Sequence, residues 1–373
     1  METLGLQSMV ESEVAPKEEN IRSKYNEKIR KGYVDQSDLV EDLIQVQKPK
    51  QSKYKEIENK VIAEIVERLQ AMAKQAISDN YTISSNKVTQ AMVDEAQEIL
   101  TGLLDISDVD TFNDMLLKLF TVIPRRMGNV KDYLVKSTED FAKIIQREQD
   151  LLDVMRGQVV QKQIMDDTKD NDDNKNENTI LEQLGLEFDE CNDKDIAVIK
   201  DALGSCADRF YKAWKVKNVK TQERFEKFVK ENNIKNTKLL FHGSRNENWW
   251  SIINTGLVLK PTNAVITGKM FGYGIYYAPK ARKSLGYTSL DGSYWVRGNS
   301  KSGFMALMDV AYGKPYDVYS FDSKYYNFNY DRLQEACNGA NCLHAHEGSM
   351  LRNDEIIVYK EDQCTIRYLI ELR

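Results

Sequence analysis

Long apolar runs are missing from this 373-residue chain. With them goes the stretch of about 18 to 20 apolar residues that a membrane-spanning helix needs. The N-terminal METLGLQSMVESEV has no basic start leading into a sustained apolar segment, so no secretory leader is read there and the chain is expected to be soluble. Cysteine is scarce. Cys191, Cys206, Cys337, Cys342 and Cys364 are five, an odd and thinly spread set that excludes a disulfide framework. The setting implied is intracellular and reducing: cytoplasm in a bacterium, nucleus in a eukaryote. Positive charge is not in excess either, with 52 Lys and Arg against 58 Asp and Glu and a net charge of -6. No global field draws nucleic acid, and any such contact needs a local basic patch or a further module. No internal repeat is visible.

What is present has globular composition, 41% hydrophobic and 29% charged, at a length that calls for two domains plus linkers. Residues 1–48 are polar, with one short helical candidate at Glu19 to Lys31 and little to bury. From Tyr54 the pattern changes. Ile57, Val61, Ile62, Ile65, Val66, Leu69, Met72, Ala73 and Ile77 recur at three- and four-residue steps, which puts them on one helical face. Similar stripes run from Met92 to Leu104 and from Phe112 to Leu119, the latter closed by Pro124. A fourth starts at Ser137-Thr138-Glu139-Asp140, whose Ser-x-x-Asp spacing predicts a cap for a helix carrying Phe141, Ile145, Leu152 and Met155. Residues 49–165 thus read as an all-α bundle, and 166–178, with the run DDTKDNDDNKNEN, as a solvated linker.

Residues 179–373 mix two helical candidates, Asp193 to Gly204 and Thr221 to Asn232, with short β-like runs. These are Leu239 to Phe241, Ile275 to Tyr277, Ala306 to Tyr312, Glu355 to Tyr359 and Thr365 to Leu372. The last two, joined by Lys360-Glu361-Asp362, are expected to pair as a hairpin. An α+β fold follows, a helical bundle and then a mixed, largely antiparallel sheet domain.

The chain has three His, and His242 ends an apolar run in Phe241-His242-Gly243-Ser244. Gly after a strand lets a ligand approach the backbone, although spacing alone favours the plainer reading of a His held in a turn. Gly268-Lys269-Met270-Phe271-Gly272-Tyr273-Gly274-Ile275-Tyr276-Tyr277 sets glycines among rings. It reads equally as a slot for a flat ligand or as an aromatic-rich turn, and it is not a dinucleotide fingerprint. Glu355 leads an apolar strand, as an acid at a solvated strand end also would. Cys337-x-x-x-x-Cys342-x-His344-x-His346 matches no zinc-finger or knuckle spacing. It is read as a Gly/Asn-rich surface loop, with zinc the lesser alternative.

In series, Leu-Phe-His242-Gly243-Ser244, Gly268-x-Met270-Phe271-Gly272-x-Gly274-Ile275-Tyr276, Lys283-Ser284-x-x-Tyr287 and Asn353-Asp354-Glu355-x-Ile357-Val358-Tyr359 resemble the catalytic domain of the poly(ADP-ribose) polymerases. The resemblance covers about residues 180–373. Upstream, Phe120-Thr121-Val122-Ile123-Pro124 and a helix with Leu151-Leu152-Asp153 look like that family's helical regulatory domain. More weakly, Tyr25-x-Glu27-Lys28-Ile29-Arg30-Lys31-Gly32-Tyr33-Val34 is similar to the end of the family's Trp-Gly-Arg domain, although no Trp-Gly-Arg tripeptide is present.

The resemblance implies an ADP-ribosyltransferase that takes NAD as substrate, releases nicotinamide through an oxocarbenium-like state and needs no metal. It implies a catalytic set of His242, Tyr276 and Glu355. NAD would be held by His242, Gly243, Ser244, Asn248, Gly274, Tyr276, Ser284 and Tyr287, with Met270 and Lys283 toward the acceptor. Glu355 goes in the family with chain elongation. The expected function is therefore poly(ADP-ribosyl)ation of proteins, the chain itself included, by a monomer in a DNA-damage setting with nucleic acid as activator. Mono-transfer and a catalytically quiet NAD- or ADP-ribose-binding scaffold stay open. Two departures bear on this choice: Val258 stands where many relatives have Arg, and Tyr273 where many have Lys.

Overall fold

The computed structural model describes Ser23 and residues 54–167, 178–259, 270–291, 298 and 300–373. The chain divides after Val46, and everything described except Ser23 belongs to the unit Gln47–Arg373. The expected helix at Glu19 to Lys31 (Ser23 apart), the Tyr25 to Val34 segment, residues 168–177, Gly268 and Lys269 lie outside the described residues.

Four helices form the bundle: α1 Lys60–Asn80, α2 Gln90–Gly102, α3 Val109–Val122 and α4 Phe141–Asp167. Asn59 starts α1 by accepting from the N–H groups of Val61 and Ile62 at 2.9 and 3.3 Å, and Asp108 starts α3 by accepting from Thr111 at 2.8 Å. The predicted stripe faces inward, with Ile62, Ile65, Val66, Leu69, Ala73 and Ile77 buried. At Ser137 the expected cap is replaced by a short 3₁₀ turn, in which its hydroxyl accepts from the N–H of Glu139. That turn feeds α4, which runs on to Asp167 and so takes Asp166 and Asp167 out of the expected linker. A buried Arg125–Glu148 pair at 3.3 Å ties α4 to the end of α3, with Arg125 also over the Tyr81 ring. The bundle's two ends leave side by side, Lys55 donating its N–H to Asn178 O at 3.0 Å.

Beyond it come α5 Ile180–Leu184, β1 Leu186–Glu190, α6 Asp193–Leu203, β2 Phe210–Asn218, α7 Val219–Glu231, β3 Lys238–Gly243 and α8 Trp249–Thr255. The order continues with β4 Ile275–Tyr277, α9 Ala281–Leu285, β5 Gly303–Val310, β6 Pro315–Val318, α10 Tyr330–Ala336, β7 Cys342–Ala345, β8 Glu355–Val358 and β9 Cys364–Leu372. The strands make a larger sheet, β1-β2-β9-β5-β3, and a smaller one, β4-β8-β7-β6. Only β6 and β7 pair in parallel among the described strands, so the expected α+β class with largely antiparallel sheets stands.

β8 and β9 are not a hairpin. They lie in different sheets, β8 between β4 and β7 and β9 between β2 and β5. The link is turned by Gln363, fully buried, whose side-chain oxygen accepts from Tyr359 and Lys360 N–H at 3.2 and 3.1 Å while its amide donates to Asn341 O at 2.6 Å. These bonds satisfy backbone groups that hairpin pairing would otherwise have served.

The bundle docks on the sheet domain through close polar contacts. Ser251 on α8 donates its hydroxyl to Asp153 O on α4 at 2.8 Å, and Trp250 donates its indole N–H to Gln161 at 2.7 Å. A Cβ on Gly157 would lie 2.4 Å from Ser251 Oγ and 2.7 Å from its Cα, so only glycine lets α4 come this near. From α1, Arg68 holds Glu371 of β9 with two bonds of 3.1 and 2.9 Å. No helix among the described residues is long and apolar enough to cross a membrane.

Candidate active site

β3 is an edge of the larger sheet and β4 an edge of the smaller, and the two edges are stitched by paired N–H···O bonds between Phe241 and Ala278 at 2.9 and 3.0 Å. The candidate residues collect along this seam. Leu240 and Phe241 are buried by their apolar character, which carries His242 and Gly243 to the strand's end. His242 Nδ1 lies 3.1 Å from Tyr276 O on β4, and its ring meets Tyr277 edge-on. A Cβ on Gly243 would lie 2.0 Å from Ser284 O and 3.3 Å from Tyr287 Cβ, so glycine lets β3 and α9 meet backbone to backbone. Ser284 is buried and donates its hydroxyl to Phe241 O at 3.1 Å.

Tyr276 is fixed by the loop before it: its hydroxyl accepts from Phe271 N–H and donates to Gly272 O, both at 3.1 Å. The described glycines of this loop are explained by packing. Gly272 has φ +70 and a Cβ there would lie 2.1 Å from Phe328 O, while one on Gly274 would lie 2.2 Å from Ile357 Cγ2 of β8. Tyr273 donates its N–H to Phe328 O at 2.7 Å. Gly272 thus lets the loop close on Phe328 and Gly274 on β8, and Phe271 and Tyr277 are core residues.

Glu355 is not at a solvated strand end. It is 8% exposed, opens β8 beside the seam and accepts from the Lys283 ammonium. Burial raises the phenols of Tyr276 and Tyr287 above the ordinary tyrosine value, and the Glu355 carboxylate pushes both further up. Both rings therefore sense the same carboxylate, although Tyr287 is 40% exposed at its outer side. Met270 packs on the smaller sheet's core.

The loop after β3 is pinned by Asn246, which accepts from Phe304 N–H at 3.2 Å and donates to Ser302 O at 3.0 Å. Sequence reading missed this residue, since one amide in a polar loop carries no pattern. Asn248 donates to Ser244 Oγ at 3.1 Å, and its own Oδ1 is buried with no donor among the described residues. From the bundle, burial beside Asp153 pushes the Asp150 carboxyl up to about 7, with Glu247 of this loop raising it and Arg245 lowering it. The Cys and His segment is not a surface loop: Cys342–Ala345 is strand β7, buried along its length, and burial lowers the His344 pKa.

The profile of the poly(ADP-ribose) polymerase catalytic domain matches residues 194–373. A poly(ADP-ribose) polymerase-like protein, 100L, of Invertebrate iridescent virus 6 is 33% identical over 169 residues, covering 43% of this chain and 85% of the viral protein. The chain belongs to the poly(ADP-ribose) polymerase family. Poly(ADP-ribose) polymerase 2 of Zea mays and 2-A of Oryza sativa are each 24% identical over 77% of this chain and 47% of their own length. The chain therefore spans about half the length of these plant relatives. Its catalytic domain is that of an NAD-dependent ADP-ribosyltransferase, and the seam lies within the matched region.

Proposed function

We propose that the chain elongates ADP-ribose on protein acceptors, itself included, with Glu355 as the group that makes elongation efficient. The observation that carries this reading is the buried Glu355 carboxylate at the seam, held by Lys283 and felt by Tyr276 and Tyr287. Tyr276 and Tyr287 present the rings between which nicotinamide would lie, its positive charge suiting their faces. Gly243, with no room for a Cβ, would meet the carboxamide with its backbone, and Ser284 would add its hydroxyl. Asn248 Oδ1, a buried acceptor with no donor among the described residues, suits a ligand N–H or hydroxyl, with Ser244 beside it. His242 would hold the adenosine ribose and Gly274 would keep the loop closed beneath the nicotinamide. Met270 and Lys283 stand toward the acceptor.

As the bond from nicotinamide nitrogen to ribose C1′ breaks, nicotinamide departs with the bonding pair and positive charge develops on the ribose. Glu355 stabilises that charge through the ribose hydroxyl and takes the proton of the attacking acceptor hydroxyl, which forms the new bond to C1′. The bundle, docked through α4 on α8 beside the Ser244 to Asn248 loop, would restrain NAD entry until loosened.

Tyr273 supports a second reading, mono-transfer. It replaces the Lys common in relatives and is tied by its N–H to Phe328 O at 2.7 Å. Incubating the full chain with labelled NAD, with and without nicked DNA, and separating products on a denaturing gel decides. A high-mass smear establishes elongation, and a dependence on DNA establishes nucleic acid as activator. A single sharp band favours mono-transfer, and binding of NAD without label transfer returns the quiet scaffold.

A further inference from the structure

Away from the seam's own residues, the smaller sheet gathers a second cluster of chemistry. β6 and β7 run parallel with Asp317 opposite His344, and the N–H of His346 continues the ladder by donating to Val318 O at 2.9 Å. One ligand atom from each of Asp317, His344 and His346 lies within 4.8 Å of the other two. His346 Nε2 is 2.7 Å and His344 Nδ1 3.8 Å from the same Asp317 oxygen. The other nitrogen of His344, Nε2, lies 3.0 Å from Asp354 Oδ2, and Asp354 Oδ1 accepts from Glu347 N–H at 2.7 Å. A carboxylate at Nε2 assigns the proton there and leaves the Nδ1 lone pair toward the Tyr312 hydroxyl, 2.8 Å away, and Asp317. A carboxylate behind a His whose far nitrogen faces further ligands is the order found around bound metal ions.

We propose that Asp317, His344 and His346 form a site for a divalent cation of the zinc class, with Asp354 orienting His344 and water completing the coordination. Two imidazoles and one carboxylate suit such an ion better than magnesium or calcium, which take oxygen ligands. Ligands on one tetrahedral zinc, with bonds of about 2.1 Å, stand roughly 3.4 Å apart. The recorded separations of 2.7 and 3.8 Å bracket that spacing. The adjustment falls to His346 and Asp317, whose side chains are 24% and 42% exposed, and to the Tyr312 hydroxyl, which turns away and releases the Nδ1 lone pair when the cation binds. The cysteines of the same segment take no part, Cys342 donating its thiol to Tyr312 O at 3.2 Å. A bound cation ties β6 to β7 and, through Asp354, to the start of β8, where Glu355 stands.

The test is titration of the chelator-treated full chain with Co²⁺, followed by visible absorption, and with Zn²⁺, followed by equilibrium dialysis and thermal melting. One equivalent should bind, with cobalt bands free of thiolate charge transfer and a raised melting temperature. His346→Ala, and separately Asp317→Ala, should weaken binding by about 100-fold or more, Asp354→Asn by roughly 10- to 100-fold, and Cys337→Ser not at all. Melting of the metal-free variants shows that they are folded. A parent chain that binds no tighter than His346→Ala, or binding that Cys337→Ser abolishes, overturns the site. Because the readout is cation binding, its failure is distinct from failure of the elongation reading.

Discussion

Each sheet buries a glutamate, and the two are held in different ways. In the larger sheet, Glu371 of β9 has no exposure and takes both arms of the Arg68 guanidinium from α1. In the smaller sheet, Glu355 of β8 is 8% exposed and takes a single ammonium, that of Lys283. A guanidinium fork fixes a carboxylate in plane and position, whereas an ammonium on a four-carbon stem is a point charge that can withdraw when another group arrives. The first arrangement fastens a bundle to a sheet. The second leaves a carboxylate close to the seam, on a partner that can swing away. Burial of a charge by itself therefore does not separate a clamp from the working group proposed for Glu355; the geometry of its partner is what differs.

The largest expected effect sets the two glutamates apart. Glu355→Gln should lower elongation by about 1,000-fold, within the range of a lost acid-base group. NAD binding and the melting temperature should stay near those of the parent. Equally long chains from that variant, measured with labelled NAD on a denaturing gel, would remove Glu355 from the chemistry. On stability the order should reverse. Arg68→Ala leaves Glu371 buried without its fork and should cost about 3 kcal/mol in denaturant unfolding. Lys283→Ala leaves unpaired a Glu355 side chain with 11% exposure, against none for Glu371, and should cost less, about 2 kcal/mol; equal costs would break the proposed distinction between clamp and working pair.

The docking of α4 can be strained directly. Gly157→Leu sets a side chain where even a Cβ would meet Ser251 at 2.4 Å, and should cost about 2 kcal/mol while raising DNA-independent turnover. Turnover that falls in step with stability would deny the bundle a restraining role. The smallest effect concerns Asp150, raised to about 7 by burial and Asp153. Its folded pKa exceeds that of the unfolded chain, so between the two values the folded state binds more protons. Its contribution is present at low pH and is lost as pH rises through about 7. Asp150 is only half-buried, so Asp150→Asn should flatten the fall in stability from pH 5 to pH 8 by on the order of 1 kcal/mol. An unchanged pH profile would place the titration elsewhere.

The bundle was legible because three- and four-residue spacing survives folding unchanged: the stripe from Ile62 to Ile77 is the buried face of α1. β3, β4, β5, β8 and β9 were legible as apolar runs. β2 escaped notice because Lys212, Lys215 and Lys217 interrupt it, and β7 because Gly, Asn and His surround it. The hairpin expected of β8 and β9 failed for a related reason. Adjacent strands with a polar link look paired in one dimension, and only the buried Gln363 and the strands' separate neighbours show that the chain changes sheet. His242, Tyr276 and Glu355 were singled out by motif, and the structure gathers them along one seam, yet the burial of Glu355 and its Lys283 partner could not be inferred from an acid at a strand's start.

The sequence by itself determined the helical period, the apolar strands and the order of the motifs, because each depends on residues a few positions apart. The tertiary structure alone decided which strands share a sheet, that Gly157, Gly243, Gly272 and Gly274 are fixed by close packing, and that Asp317 stands with His344 and His346. Those facts depend on atoms brought together from distant parts of the chain. A short-range pattern carries no record of which distant surface will exclude a side chain or share a proton.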